Sequence, residues 1–149
     1  MQINARDYIF EASEDPTIVT PVWAKIGGLE SFDLNPSENE ESADTTVFDS
    51  NGQAESQAMQ RGASLSLEGK RVRNGTTPDA GQAATEALAA KVGDDSLGGI
   101  RFRHKDDTEW VVWTAWVSLA NQGGGNNDKT SWGATFTRSG AATEVAVTP

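Results

Sequence analysis

Alternation of apolar and polar residues with period two dominates this chain. Ala63, Leu65 and Leu67 interleave with Ser64, Ser66 and Glu68, and Ile100, Phe102 and His104 interleave with Arg101, Arg103 and Lys105. Successive side chains of a strand point to opposite faces, so each run predicts a strand with one buried and one wet face. Residues 109–121 (EWVVWTAWVSLAN) are apolar on both faces: Trp110, Val112 and Trp116 on one, Val111, Trp113, Ala115, Val117 and Leu119 on the other. That pattern predicts a strand that is central or lies at an interface. Residues 130–137 alternate again through Trp132, Ala134 and Phe136. Upstream, 17–25 (TIVTPVWAK) is rich in β-branched residues and 29–34 partly alternates, with Pro16 and Pro21 keeping the region off the middle of a sheet. Residues 45–48 form a short β-like run before the turn signal Asp49-Ser50-Asn51-Gly52. Residues 35–60 as a whole read as one long projecting loop or hairpin, a length that is usually functional or disordered.

One helix is expected, over about 78–92. Thr77 suits the N-cap, Pro78 the first helical position and Asp79 the first turn, while Gly93 is the expected stop. Ala84, Leu88 and Val92 make a thin apolar stripe, enough to dock a helix onto a sheet but too little for a bundle core. The fold class is therefore mainly β (α+β). The small, polar residues 139–149 form a C-terminal tail, either a last edge strand or an arm ordered by a partner.

Composition narrows the classes of function. With 149 residues the chain is one domain, long enough to bury about 68–70% of its unfolded surface. It has no Cys, which removes disulfides, thiolate metal sites and cysteine nucleophiles. No apolar run approaches the roughly 20 residues of a membrane span, and residues 1–6 lack a leader pattern, so a soluble protein made in the cytoplasm is expected. The formal charge is −10, and all of it lies in residues 1–60, where twelve acids face only Arg6 and Lys25. Residues 61–149 hold ten acids and ten bases. An acidic chain does not bind nucleic acid through a basic face.

Catalytic chemistry is hard to assemble. His104 is the only histidine, and the pairs Asp94-Asp95 and Asp106-Asp107 sit in turn sequences, where Asp bonds its own backbone. The loop 122–129 (QGGGNNDK) lacks the Lys-Ser/Thr of a phosphate cradle and precedes a strand instead of a helix. Of the five tryptophans, Trp110, Trp113, Trp116 and Trp132, with Phe136, are expected in the core or at protomer interfaces.

Read in order, TTVFDSNG at 45–52, ASLSLEG at 63–69, the Ala-rich helix and TSWGATFTRS at 130–139 resemble the major tail, or tail tube, proteins of siphophages, particularly those of actinobacterial hosts. The resemblance covers about 22–142. It implies a β-sandwich or half-barrel with one flanking helix, a single domain over 1–149, with residues 1–21 an N-terminal arm, 35–60 an inter-ring loop and 139–149 a tail. It further implies six-membered rings stacked head to tail, genome DNA passing through the lumen without specific binding, and the tape measure, tail terminator and baseplate or tail-tip proteins as partners, in the virion. No cofactor, metal, catalytic residue or membrane contact is implied. Thr46, Phe48, Asp49, Ser50 and Gly52 would form the inter-ring loop, Phe48 its apolar anchor. Glu38, Glu40, Glu41 and Asp44 would form an acidic surface toward a neighbour or the lumen. Lys70, Arg71, Arg73, Arg101, Arg103 and Lys105 would be basic acceptors for a neighbour's acids. Another virion protein, such as a head-tail terminator or a capsid decoration protein, is the first alternative, and a carbohydrate-binding β-sandwich using the tryptophans the second.

Overall fold

The computed structural model describes residues 1–14 and 21–147. Twelve strands and one helix follow one another as β1 (Tyr8–Ser13), β2 (Ala24–Lys25), β3 (Leu29–Asn35), β4 (Glu41–Asp44), β5 (Ser56–Gln60), β6 (Ser64–Lys70), β7 (Arg73–Asn74), β8 (Thr77–Pro78), α1 (Ala80–Ala89), β9 (Gly98–His104), β10 (Glu109–Leu119), β11 (Ser131–Arg138) and β12 (Thr143–Ala146). The architecture is mainly β, with one flanking helix.

An antiparallel sheet in the order β2-β1-β9-β10-β11-β6-β3 makes the body, and β10 is its spine. β9 lies along one edge of β10, with Val111 opposite Phe102 and Ala115 opposite Gly98. Along the other edge run β11, from Ala115–Arg138 to Leu119–Ala134, and then β12, from Val112–Thr143 to Glu109–Ala146. The central position expected of a two-sided apolar strand is thus met.

The sheet is rolled. Phe32 on β3 lies 4.9 Å from the ring of Tyr8 and 5.1 Å from that of Phe10, both on β1 near the opposite end of the strand order. The alternation seen in sequence fills the concave side: Phe10, Leu65, Leu67, Ile100, Phe102, Trp113, Ala115, Val117, Trp132, Ala134 and Phe136 form one buried cluster. The end strands β2 and β3 are joined by residues 26–28. There the Ile26 N–H donates to the Phe10 carbonyl at 2.9 Å and the Lys70 N–H to the Gly28 carbonyl at 2.8 Å. The roll makes an open barrel, with β2 and β3 as its end strands bridged at this corner.

Helix α1 seals the corner, with Gly81, Gln82, Thr85 and Leu88 buried. Its N-cap is Asp79, whose carboxylate accepts from the Gln82 N–H at 3.1 Å, whereas Thr77 and Pro78 form β8. Asp79 prevails because the same oxygen also accepts the Gly27 N–H at 3.0 Å, a partner 52 residues away. The expected stripe shifts accordingly: Leu88 is buried, but the helix ends at Ala89 and Val92 is exposed.

Three further expectations change. Tyr8–Ser13, placed in an N-terminal arm, is a strand inside the sheet, because Phe10 and Ala12 alternate into the core. Of the run 17–25, only Ala24–Lys25 is a strand, and residues 17–20 lie outside the described residues. The β-like run 45–48 is not a strand; Phe48–Ser50 is a single 3-10 turn. In the tail, β12 is an exposed edge strand, where hydrogen bonding to and repulsion from the Glu144 carboxylate push the Glu109 carboxyl above its usual value.

A Cβ added to Gly81 would lie 2.3 Å from the Lys25 carbonyl oxygen and 2.4 Å from the Ile26 Cα, both backbone atoms of the corner. Gly81→Ala gains about 1 kcal/mol of helix propensity, but overpacking against backbone costs roughly 1–3 kcal/mol or more. A net loss of stability in urea unfolding is expected; an unchanged or raised midpoint would show that the helix does not seat on the corner as described.

Candidate assembly surfaces

Outside the barrel, β4 and β5 pair as a separate two-stranded antiparallel ribbon, so residues 35–60 are a hairpin. Its root is fixed by backbone packing and polar contacts. The Gln60 Nε2 donates to the Asn39 carbonyl at 2.6 Å, Arg61 pairs with Glu40 at 3.2 Å, and Glu38 accepts from the Asn35 Nδ2 at 2.7 Å. The ribbon buries almost nothing: every residue of β5 is exposed.

The tip is ordered by its own hydrogen bonds. The Thr46 hydroxyl accepts from the Glu55 N–H at 2.9 Å and lies 3.2 Å from the Glu55 carbonyl, while the Ser50 hydroxyl accepts from the Val47 N–H at 3.1 Å. The Thr46 hydroxyl, and then its N–H at 2.9 Å, hold the Asp44 carboxyl below its usual value. Asn51 and Gly52, at φ 54° and 81°, turn the chain back, as the sequence signal requires. The result presents Phe48 fully exposed, beside a half-exposed Val47. The tip thus presents two adjacent apolar side chains on an otherwise polar ribbon.

The six expected basic acceptors do not behave alike. Arg101 pairs with Glu11 across β1 and β9, its guanidinium 4.3 Å from the Trp110 ring and 4.7 Å from that of Trp23. Arg103 donates to the carbonyls of His104 and Lys105 and lies 4.9 Å over Trp110. Lys105 pairs with Asp7 at 3.6 Å and Lys70 with Glu30 at 3.2 Å. Arg71 pairs with Glu86, which also accepts from the Trp132 Nε1 at 3.1 Å, so this trio ties α1 to β11 and the end of β6. Arg73, on the exposed β7, makes no ion pair or side-chain hydrogen bond among the described residues. These pairs are nonlocal, and the sequence carried no signal for them.

The same pairings resolve part of the charge split. Asp7, Glu11, Glu14, Glu30 and Glu40 each face a base of the later chain or of the hairpin root. Among the described residues Asp33, Glu38, Glu41, Asp44, Asp49 and Glu55 have no such partner, and all but Asp33 belong to the hairpin. Of the acids of residues 1–60, the hairpin therefore keeps most of those without a base among the described residues.

Trp110, Trp113, Trp132 and Phe136 are buried, whereas Trp116 is 45% exposed on the outer sheet face, outside the core of the single subunit. Since Arg101 and Arg103 cover Trp110, no platform of two exposed coplanar rings exists at Trp110 and Trp116 for stacking a sugar. His104 is buried edge-on to Tyr8, and its Nδ1 accepts from the Asp106 N–H at 3.2 Å. Among the described residues no group of three His, Asp or Glu side chains is arranged to hold a metal ion.

The Arg71 hydrogen bond, aided by that from Trp132, holds the Glu86 carboxyl below its usual value against the opposing effect of burial. A carboxyl depressed on folding adds stability above its unfolded pKa, about 4.3, and loses it as pH falls through the lower folded value. The stability difference between the native chain and Glu86→Gln is expected to be largest at neutral pH and to shrink below about pH 4. A difference that does not vary with pH would refute an ionised Glu86 at this junction.

No family model matches the sequence, and no curated protein does. Solved structures do match. A chain from the tail of an empty gene transfer agent particle, refined helically with C6 symmetry, superposes with a TM-score of 0.72 at 19% identity, covering 97% of this chain and 100% of that one. A chain from the virion of a native gene transfer agent particle gives 0.69 at 18% identity, again over 97% and 100%.

Proposed function

We propose that this protein is a structural virion component, a tail tube subunit of siphophage type that polymerises as six-membered rings stacked head to tail, through which genome DNA reaches the host. The observation that carries this reading is the fold it shares, over 97% of its length, with a chain from a tail of C6 symmetry. The order of motifs along the sequence points the same way. So does a barrel whose one large protrusion is an acidic hairpin offering a bare phenyl ring. The tape measure, tail terminator and tail-tip proteins are the partners this reading entails. Duplex DNA carries a phosphate charge every ~1.7 Å of axis, so a wall with net negative charge lets it slide where a basic wall would bind and stall it. The role is structural, not catalytic.

Concentrated at neutral pH, the purified protein is expected to give rings or tubes in negative-stain images and large species in sedimentation. A monodisperse monomer at every concentration would overturn the proposal. Replacing residues 45–55 by Asn-Gly, which joins β4 to β5 by a tight turn, is expected to leave the thermal midpoint unchanged and to abolish tubes. Normal tubes from that variant would remove the hairpin from the stacking contact.

A further inference from the structure

A docked aromatic needs a hollow with apolar walls, and an acidic tip needs a base without a partner. The β7–β8 corner offers both. Between the β7–β8 hairpin and α1 lies an open groove of about 220 Å³ bordered by Arg71, Val72, Arg73, Thr76, Pro78 and Ala83. Val72 and Pro78 supply apolar walls, and both are exposed. A cavity of roughly 150 Å³ already accepts benzene, so the groove has room for a phenyl ring. Arg73 stands free at its rim, whereas Arg71 is held by Glu86 on the helix side.

We infer that this groove is the receptor for the hairpin tip of a second copy of the chain. Phe48 seats against Val72 and Pro78, and Asp49 faces Arg73. The inference rests on the tube reading above and names the surface that the hairpin meets. Charge selects the occupant: between Lys25 and Arg61 the chain contains no base, and the acids around Phe48, Asp44, Asp49 and Glu55, make no ion pair among the described residues. The groove lies on the later chain, where the bases are, so tip and receptor are different surfaces of one molecule. Arg73 also comes within reach of the Phe48 ring face, a contact that favours guanidinium over ammonium.

The absence of native cysteine makes the test clean. Gln53→Cys, at the tip but not its anchor, and Thr76→Cys are prepared as separate chains; both positions are exposed, so neither change threatens folding. The two are mixed, and a short bis-maleimide is added. A heterodimer is expected from the mixture, well above the dimer that either chain gives alone. If particles form but no such product appears, the docking surface is wrong while the tube reading stands. If neither particles nor cross-links form at any concentration, both fall. In a second measurement, Arg73→Asp and Asp49→Arg are each expected to weaken association at least tenfold, and the two changes combined in one chain to restore it. Two weak single variants without rescue would overturn the Asp49–Arg73 pairing.

Discussion

Two side chains at the start of α1 decide whether the sheet can close. The chain must leave β2 and enter β3 within residues 26–28, and at that bend the N–H and carbonyl of Gly27 are satisfied by side chains and not by a strand. Asp79 accepts from the N–H groups of Gly27 and Gln82; the Gln82 carboxamide donates to the carbonyls of Gly27 and Lys70 and accepts from the Val72 N–H. Gln82 is 2% exposed, so none of this is replaced by water if it is lost. Buried backbone groups without partners each cost about 1–3 kcal/mol, a large share of a domain's net stability. The helix is therefore less a cover for the sheet than the clamp that lets its two ends meet. Glu86, one turn further along the helix, repeats the device more weakly, joining Arg71 to Trp132.

This clamp also marks the limit of what the sequence made legible. Strands β6, β9, β10 and β11 were readable because burial of one face imposes a period of two that any reader of the chain can see. The hairpin was readable from its turn chemistry and its unbroken acidity. The N-cap was not, because Thr77 and Asp79 are both good caps locally, and the choice is made by Gly27, 52 positions upstream. The same holds for the bases. Lys70, Arg71, Arg101 and Lys105 were expected to face a neighbour, yet their carboxylates come from distant strands or from the helix of the same chain. The strand at Tyr8–Ser13 was overlooked for a different reason: only Phe10 and Ala12 alternate cleanly inward, too brief a pattern to stand out. For Trp116 the sequence left core and interface open, and the fold takes it out of the core of the single subunit, since an apolar residue in a two-sided strand need not be covered on both sides within one subunit.

The fold divides into parts with unlike physics. The barrel is held by a contiguous apolar cluster and by long-range pairing, so it stands or falls as a unit. The hairpin contributes almost no buried surface and keeps its shape through Thr46, Ser50 and the backbone of its own tip. A segment so built can be altered at little cost to the barrel, and in return it gives the barrel no stability. Its rigidity has value only for an encounter, where a tip already ordered loses less conformational entropy on docking.

Charge then fixes the sense of that encounter. Had the acids of residues 1–60 stayed unpaired throughout, the chain would be a diffuse anion that repels its own copies. Instead Asp7, Glu11, Glu14 and Glu30 are matched by bases of the later chain, while the hairpin carries five acids without a base among the described residues. A donor and a receptor that occupy different surfaces of the same subunit make a heterologous contact, which closes into a ring or runs on as a filament according to the rotation it imposes. A protrusion directed along the barrel's stacking axis would run on, while lateral contacts between barrels would close. One chain would then need two contacts of different geometry, and only the axial one depends on charge. Raising the salt concentration should therefore loosen stacking before it opens rings, because exposed charges are screened within about 8–10 Å while buried apolar contact is not.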